Sequence, residues 1–330
     1  MRTRLLVRGT LVLVVIAVAV GLTVADHDRD DGTPVPAAAD ARCHGVGFGE
    51  VRGKAPRNAH PPLRRYRVAS AVCAAYWIPQ VDHLFVPQSL AVSGGTAYVS
   101  GYHWNRVGAE RNCQLAVVDL RTGRVRAFVR RFQAPVYHPR PTFCRHGGGV
   151  ELDEAGLWVA ETERLWLLDP DRLGHGDPVR RAWRMPPGVR GSTLVVAGDL
   201  LGVAGFRRGK LGRIWWFDRS AVLDRPARAQ LPDPVATQRV AARVQGITRY
   251  DGRLWMNSSG THCAILRATG RPPVELVPGS EDVQITGQDL WTVSEAGTRP
   301  YLDASERTVP MILRLDLAAV LASGRPRCHF

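Results

Sequence analysis

Five segments of the chain repeat one pattern of hydrophobic and polar positions. They begin at Gln88, Gly148, Ser192, Gln245 and Glu281 and align without gaps for fourteen residues. The third position is aliphatic in each: Leu90, Val150, Leu194, Ile247 and Val283. A glycine follows in each, Gly94, Gly156, Gly198, Gly252 or Gly287, and the eleventh position holds Tyr98, Trp158, Gly202, Trp255 and Trp291. Alternating aliphatic residues, a tight Gly/Asp turn and an aromatic-led apolar run predict a β-hairpin. A third apolar run ending in Asp follows four of the hairpins, at 115–119, 165–169, 214–218 and 312–316, and Ile265-Leu266-Arg267 stands in its place in the fourth repeat. Outer strands are predicted at 125–129, 181–184 and 274–277, with Tyr66 to Ser70 supplying the last from the N-terminal side.

Repeat starts lie 60, 44, 53 and 36 residues apart, close on average to the span of a four-stranded blade. The pattern predicts an all-β fold, a β-propeller of five blades with four antiparallel strands each, forming a single domain over residues 64–330. A six-bladed ring with residues 43–86 as a degenerate blade is the alternative. Trp158, Trp255 and Trp291 fall where neighbouring blades pack, so they are expected in the core between blades.

On this periodicity, over roughly residues 64–322, the chain resembles the secreted propellers that include NHL-type, YncE-like and SMP-30/gluconolactonase-type proteins. The resemblance is one of fold, and a fold hosts many functions. In gluconolactonase-type enzymes a glutamate that opens an inner strand helps to hold a divalent metal, and Glu281 in Glu281-Asp282-Val283 resembles that residue. The Asn and Asp ligands of that family have no counterpart here, because the other strand starts carry Gln, Gly or Ser.

Composition and address change the picture in two ways. Lys and Arg number 44 against 30 Asp and Glu, for a formal charge of +14, yet only Lys54 and Lys210 are lysines and the arginines are scattered without a run of five. Scattered charge is a solvated surface, so nucleic acid is not the expected partner. Mean hydropathy of −0.13 excludes a polytopic membrane protein. Arg2, Arg4 and Arg8 precede an uncharged apolar stretch from Gly9 to Ala25, with Thr23-Val24-Ala25 offering a cleavage site. Residues 1–25 are expected to be a signal peptide, or an uncleaved signal anchor that would be the protein's only membrane contact. Either places the body outside the cytoplasm, extracellular or at the cell surface. Residues 26–63, rich in Asp, then Pro and Ala, are expected as a linker.

Six cysteines without a CxxC suit an oxidising compartment. Fifteen pairings are possible. The expected scheme joins Cys113 to Cys144 across one loop region and Cys43 to Cys328 at the two ends, leaving Cys73 with Cys263.

His-Glu-x-x-His, Gly-x-Ser-x-Gly and EF-hand patterns are absent, and Gly205 to Lys210 lacks the spacing of a phosphate loop. Asn257-Ser258-Ser259 matches a glycosylation sequon. The candidate site follows instead from hairpin geometry. The first residue of an inner strand and the last of its partner lie at the same end, so repeat positions one and fourteen to sixteen gather on one face around the central channel. That face collects Gln88, Gln245 and Glu281 with His103, Glu161 and Glu295, and His146 on the glycine-rich approach to the second blade. Carboxylates and amides suit a hard divalent cation such as calcium, with Glu281 and Glu295 as ligands. A His–Glu pair suits acid–base chemistry. The expected function is binding, without catalysis, of a small molecule or extracellular macromolecule at this face by a monomer. The alternative is a metal-assisted hydrolase or lactonase using the same residues.

Overall fold

The computed structural model describes residues 42–108, 111–137, 141–304 and 309–330. The expected signal or anchor and the linker as far as residue 41 lie outside the described residues.

Each repeat forms the two innermost strands of a four-stranded antiparallel sheet. The first blade comprises Phe85–Ser93, Thr96–His103, Cys113–Asp119 and Val125–Val129. Its opening hairpin turns on Gly94 and Gly95, both with positive φ (52° and 74°), the two-residue geometry that matches strand twist and that side chains resist. The second blade is Gly149–Asp153, Gly156–Glu161, Arg164–Leu168 and Val179–Arg184. The third is Thr193–Ala197, Leu200–Ala204, Gly212–Asp218 and Ala236–Val240. The fourth is Val244–Tyr250, Arg253–Gly260, Cys263–Ala268 and Val274–Leu276. Inner strands of successive blades lie side by side, and that of the fifth returns to the first.

The fifth blade closes the ring. Ser280–Thr286, Asp289–Ser294 and Ile312–Asp316 take Val72–Tyr76 as their outermost strand, antiparallel to Ile312–Asp316. The ring therefore has five blades, and residues 43–86 form no sixth. The closing strand is not Tyr66 to Ser70, which lead instead into a 3-10 turn at Ala69–Ala71. From Arg42 onward, the end of the expected linker packs against this blade. Arg42 pairs with Asp289 and Asp316, both at 2.8 Å, and Arg52 bridges to Tyr76.

The Asp that ends four of the third strands has a local task. Asp218 and Asp316 accept from the backbone N–H of Ala221 and Ala319, capping short helices at Arg219–Asp224 and Leu317–Ala322. Asp169 caps the turn Pro170–Arg172, and Asp119 accepts from Arg121 and Thr122 N–H. Arg126 beside Asp119 holds its carboxyl well below the usual carboxylate range.

The core sits between blades, as the tryptophan positions imply. Trp158 stacks on Trp183 with centroids 5.9 Å apart, and Trp158, Trp255 and Trp291 are all buried. Asn257, Ser258 and Ser259 are buried within a strand, so the sequon there is no surface acceptor.

The disulfides correct two of the expected pairings. Cys113–Cys144 forms, but Cys43 pairs with Cys73 and Cys263 with Cys328. Strand hydrogen bonds, not a terminal bridge, close the ring. Residues 42–45 run beside the closing strand, with Gly45 N–H donating to the Val72 carbonyl, which leaves the Cα atoms of Cys43 and Cys73 4.7 Å apart. After its last helix the chain crosses to the fourth blade, where Glu275 accepts from Arg327 and Cys328 N–H. Cys263 and Cys328 close a loop with a sequence separation of 65 residues. The double variant Cys263→Ser/Cys328→Ser is expected to lose about 2–4 kcal/mol. Guanidinium unfolding checks this, and an unchanged midpoint would contradict it.

Candidate functional site

Three of the five hairpins begin with a break in register. Pairing skips from Pro87 to Ser89, from Val244 to Gly246 and from Ser280 to Asp282. The skipped residues are Gln88, Gln245 and Glu281, the first positions of their repeats. A β-bulge leaves one residue unpaired and re-aims its side chain. Because these bulges fall in the fourth, fifth and first blades, which are neighbours in the closed ring, they aim at one place. The second and third blades have no such break, and Gly148 and Ser192 occupy the position. A Cβ on Gly148 would lie 2.5 Å from the Ser192 carbonyl oxygen, so backbone approach replaces a side chain there.

The bulged residues meet a buried pair of carboxyl groups. Gln245 Nε2 donates to Glu281 Oε2 at 2.5 Å, and Gln88 Nε2 donates to Glu295 Oε2 at 2.6 Å. Glu281 and Glu295 are hydrogen-bonded to each other, with Ser259 beside Glu281. Tyr301 reaches Glu295 and is hydrogen-bonded to Tyr102. The turn after Glu295 positions Tyr301: Thr298 N–H donates to the Glu295 carbonyl and Tyr301 N–H to that of Thr298. Glu281 is 2% exposed and Glu295 5%. Burial pushes Glu295 up to about 8. Burial, then the Glu295 charge, pushes Glu281 well above the carboxylate range. Two buried carboxyls in contact cannot both ionise near neutrality, so the pair keeps a proton.

Asp282 continues the network along the channel. Ser89 Oγ donates to Asp282 Oδ2, as does Leu90 N–H at 3.1 Å, and Val150 N–H donates to Ser89 Oγ at 2.8 Å. One carboxyl thus ties the fifth blade to the first and, through Ser89, to the second. Burial raises Asp282 to about 8 despite these donors, and it raises Glu151 beside it as well.

His146 stands across Tyr102 from this network. Its ring stacks on Tyr102 with centroids 4.7 Å apart, and Arg111 sits over the same tyrosine with its guanidinium carbon 5.0 Å from the centroid. Enclosure by the protein, then the Arg111 charge, depress His146 to about 4, so it is neutral at pH 7. His146 and Arg111 form one wall of an open cleft of about 620 Å³, whose other walls include Arg145, Thr162, Arg190 and Phe206.

Of the residues expected at the channel face, the structure brings together Gln88, Gln245, Glu281 and Glu295, with His146 reached through Tyr102 and Tyr301. Glu161 is not at this junction: it is fully buried in an ion pair with Arg164 and accepts from Arg145 N–H at 3.3 Å, a structural arrangement. His103 is also outside it, in a separate depression with Asp82, Phe128 and Arg130. Tyr102, Tyr301, Asp282 and Arg111 were not singled out from the sequence. A signal for some of them existed. Repeat position fifteen is Tyr102, Thr162, Phe206, Ser259 and Glu295, and every one lies in the carboxyl network or on the cleft wall.

The arrangement does not fit a calcium ion held by Glu281 and Glu295. Calcium takes six to eight oxygens, whereas here the two carboxyls are met by two amides that present N–H groups to them. Among the described residues, no group of three or more His, Cys, Asp or Glu is placed to hold a metal ion. What the arrangement can do is hold neutral polar groups rigidly beside an open cleft.

The raised groups fix a pH dependence. Native Glu295 and Asp282 keep protons up to about 8, while the unfolded chain releases them near 4.5 and 3.8. Their contribution is fully present below those unfolded values, is lost as pH rises toward 8, and is flat above. Melting temperature is therefore expected to fall between pH 5 and pH 8. Glu295→Gln, which mimics the protonated form, should flatten that slope and raise the melting temperature at pH 8 by a few degrees. Parallel slopes in both proteins would contradict the assignment.

No protein-family model and no curated protein matches the chain. Solved structures match at low identity. BamB from Moraxella catarrhalis is 11% identical over 70% of this chain and 57% of its own, with a TM-score of 0.31, so the chain spans little more than half its length. The nidogen/laminin complex matches at 14% identity over 64% of this chain and 73% of the other, with a TM-score of 0.38. A putative oxidoreductase (glucose dehydrogenase) from Thermus thermophilus matches at 12% over 71% and 96%, with a TM-score of 0.34. By its own strand topology the chain is a five-bladed β-propeller.

Proposed function

We propose that this protein is an exported β-propeller that binds a ligand at its channel face, without catalysis, in the cleft walled by His146, Arg111, Thr162 and Phe206. The observation that carries this reading is the convergence of position fifteen from all five blades, reinforced by three bulges that serve no blade's own pairing. A ring with a merely hydrated mouth needs no such bulges. The buried hydrogen-bonded network behind Tyr102 and His146 holds the wall of the cleft before a ligand arrives, which lowers the entropic cost of binding.

Three disulfides support an oxidising destination, consistent with the basic and apolar N-terminal stretch. No helix among the described residues is long and apolar enough to cross a membrane. The reading without catalysis rests on the burial and engagement of the acids. Glu281 and Glu295 are 2% and 5% exposed, and their oxygens are engaged by Gln245, Gln88 and Tyr301. A general acid or base must reach the proton it transfers. The ligand class is a small molecule that fits about 620 Å³ or a projecting group of an extracellular macromolecule.

Filling the cleft tests the reading. In a thermal-shift screen of small molecules, hits are expected with the native protein and should disappear in Thr162→Trp, while Glu295→Gln keeps them. Hits that survive Thr162→Trp would move the site elsewhere. Calcium is expected to leave the melting temperature unchanged. A calcium-induced rise that Glu281→Gln abolishes, together with lactone turnover, would replace binding with the metal-assisted reading.

A further inference from the structure

We propose that this cleft recognises an oxyanion, the phosphate or carboxylate of a ligand, through Arg111, Arg145, Arg190 and Arg207, with Phe206 against the ligand's apolar body. The proposal rests on the reading of the cleft as the binding surface and names the chemistry it takes. Four guanidinium groups line the cleft and, among the described residues, no carboxylate does. Among the described residues, the acids paired with these arginines are already shared or used. Glu163 pairs with Arg190 at 2.7 Å and with Arg145 at 3.4 Å, while Glu161 is engaged by Arg164. Among the described residues, Arg111 and Arg207 have no carboxylate partner. Among the described residues, two cations thus share one anion, and two more stand beside them without a carboxylate.

The donors are also placed and oriented. Arg111 Nε donates to the Asn105 carbonyl at 3.1 Å while its guanidinium lies over Tyr102, which holds the fork in one position. A planar guanidinium held this way offers its remaining N–H groups to two oxygens at once. Arg145 Nε is buried without a hydrogen-bond acceptor, 4.0 Å from Glu161. Neutral His146 and the Thr162 hydroxyl add uncharged polar contacts, and Phe206, 39% exposed, supplies apolar surface at the rim. A cationic or purely apolar ligand would leave the excess positive charge of this wall facing it without compensation. Phosphate and carboxylate present the same oxygens, so the structure selects the class and the experiment separates its members.

Calorimetric titration of the disulfide-intact protein with inorganic phosphate and, separately, with benzoate, at ionic strength held constant with chloride, is the test. At least one anion is expected to saturate with a Kd on the order of 1 mM or tighter. Saturation by phosphate alone assigns a phosphate, and by benzoate alone an aryl or alkyl carboxylate. Arg111→Gln and Arg207→Gln should each weaken it about tenfold or more, while Arg239→Gln on an exposed outer strand leaves it unchanged. Arg207 is exposed on a loop, so its variant folds even if that of Arg111 does not. Failure of both anions to saturate, or equal losses in Arg239→Gln, would overturn the proposal. If a neutral compound binds in a way that Thr162→Trp abolishes and the arginine variants do not affect, the oxyanion falls while the cleft stands. Anion binding that Thr162→Trp leaves intact would overturn both.

Discussion

A closed ring of blades depends on its last joint, and here that joint is a buried carboxyl group. Asp282 accepts from Ser89 Oγ and from Leu90 N–H, and Ser89 Oγ accepts in turn from Val150 N–H. Three inner strands that are distant in sequence are thereby fixed around the channel. Nearby, Gly246 lets its strand pass so close to Asp282 that a Cβ would lie 2.5 Å from the Asp282 Cα. Apolar packing between blades is non-directional and would tolerate some wedge-like opening. Hydrogen bonds across the channel would not, because each buried donor or acceptor left unpaired costs on the order of 1–3 kcal/mol. The outer strand Val72–Tyr76 closes the ring at its periphery and Asp282 closes it at the centre.

This closure also builds the mouth. Once the fourth, fifth and first blades are adjacent, their bulged first residues have one direction available. The amides of Gln88 and Gln245 then solvate the Glu281–Glu295 pair in place of water. The pair's proton follows from the company it keeps: Glu161, equally buried, has Arg164 and belongs to an ion pair, whereas among the described residues Glu281 and Glu295 have amides, hydroxyls and each other. Identical side chains thus play different parts according to a neighbour chosen by the fold.

The blades were legible in the sequence because hairpin strands must alternate and their turns must bend. Gly94-Gly95 and the capping Asp at 119, 169, 218 and 316 mark boundaries with a physical cause. The outer strand Ala236–Val240 carried no such mark: four of its five residues are exposed, so no alternation was imposed on it. The closing strand lay a few residues beyond Tyr66 to Ser70 for a related reason. Val72–Tyr76 is buried at four of its five positions and shows no period of two. The disulfides were misassigned because pairing depends on where coil segments return, and coil has no period. At the site, the hairpin geometry pointed to Gln88, Gln245, Glu281 and Glu295, which the structure places in hydrogen-bonded pairs, and passed over Tyr102 near them. Strand alternation governs only part of positions fourteen to sixteen, because the second strand ends at position thirteen or fourteen in the second, third and fifth blades. Beyond the strand end the turn sets the direction and carries no period, which is why Tyr102 was passed over for His103.

Formal charge misstates the field at this face for the same reason that burial raises its acids. Counting residues sets Glu281, Glu295, Asp282 and Glu151 against the arginines of the cleft. Protonation removes most of that negative charge near neutral pH, while the arginines, with pKa values far above it, keep theirs. The mouth is therefore more positive than its composition suggests. As pH rises toward about 8, the proton held by Glu295 is released, and the resulting charge both strains the closed ring and opposes an anion across Tyr102. Stability and anion affinity are linked through one titration. A ligand that favours the protonated network must raise the pKa of that network when it binds, and so must take up a fraction of a proton from solution. Calorimetry in two buffers of different ionisation enthalpy would read that uptake directly, with zero uptake separating the cleft from the carboxyl pair behind it.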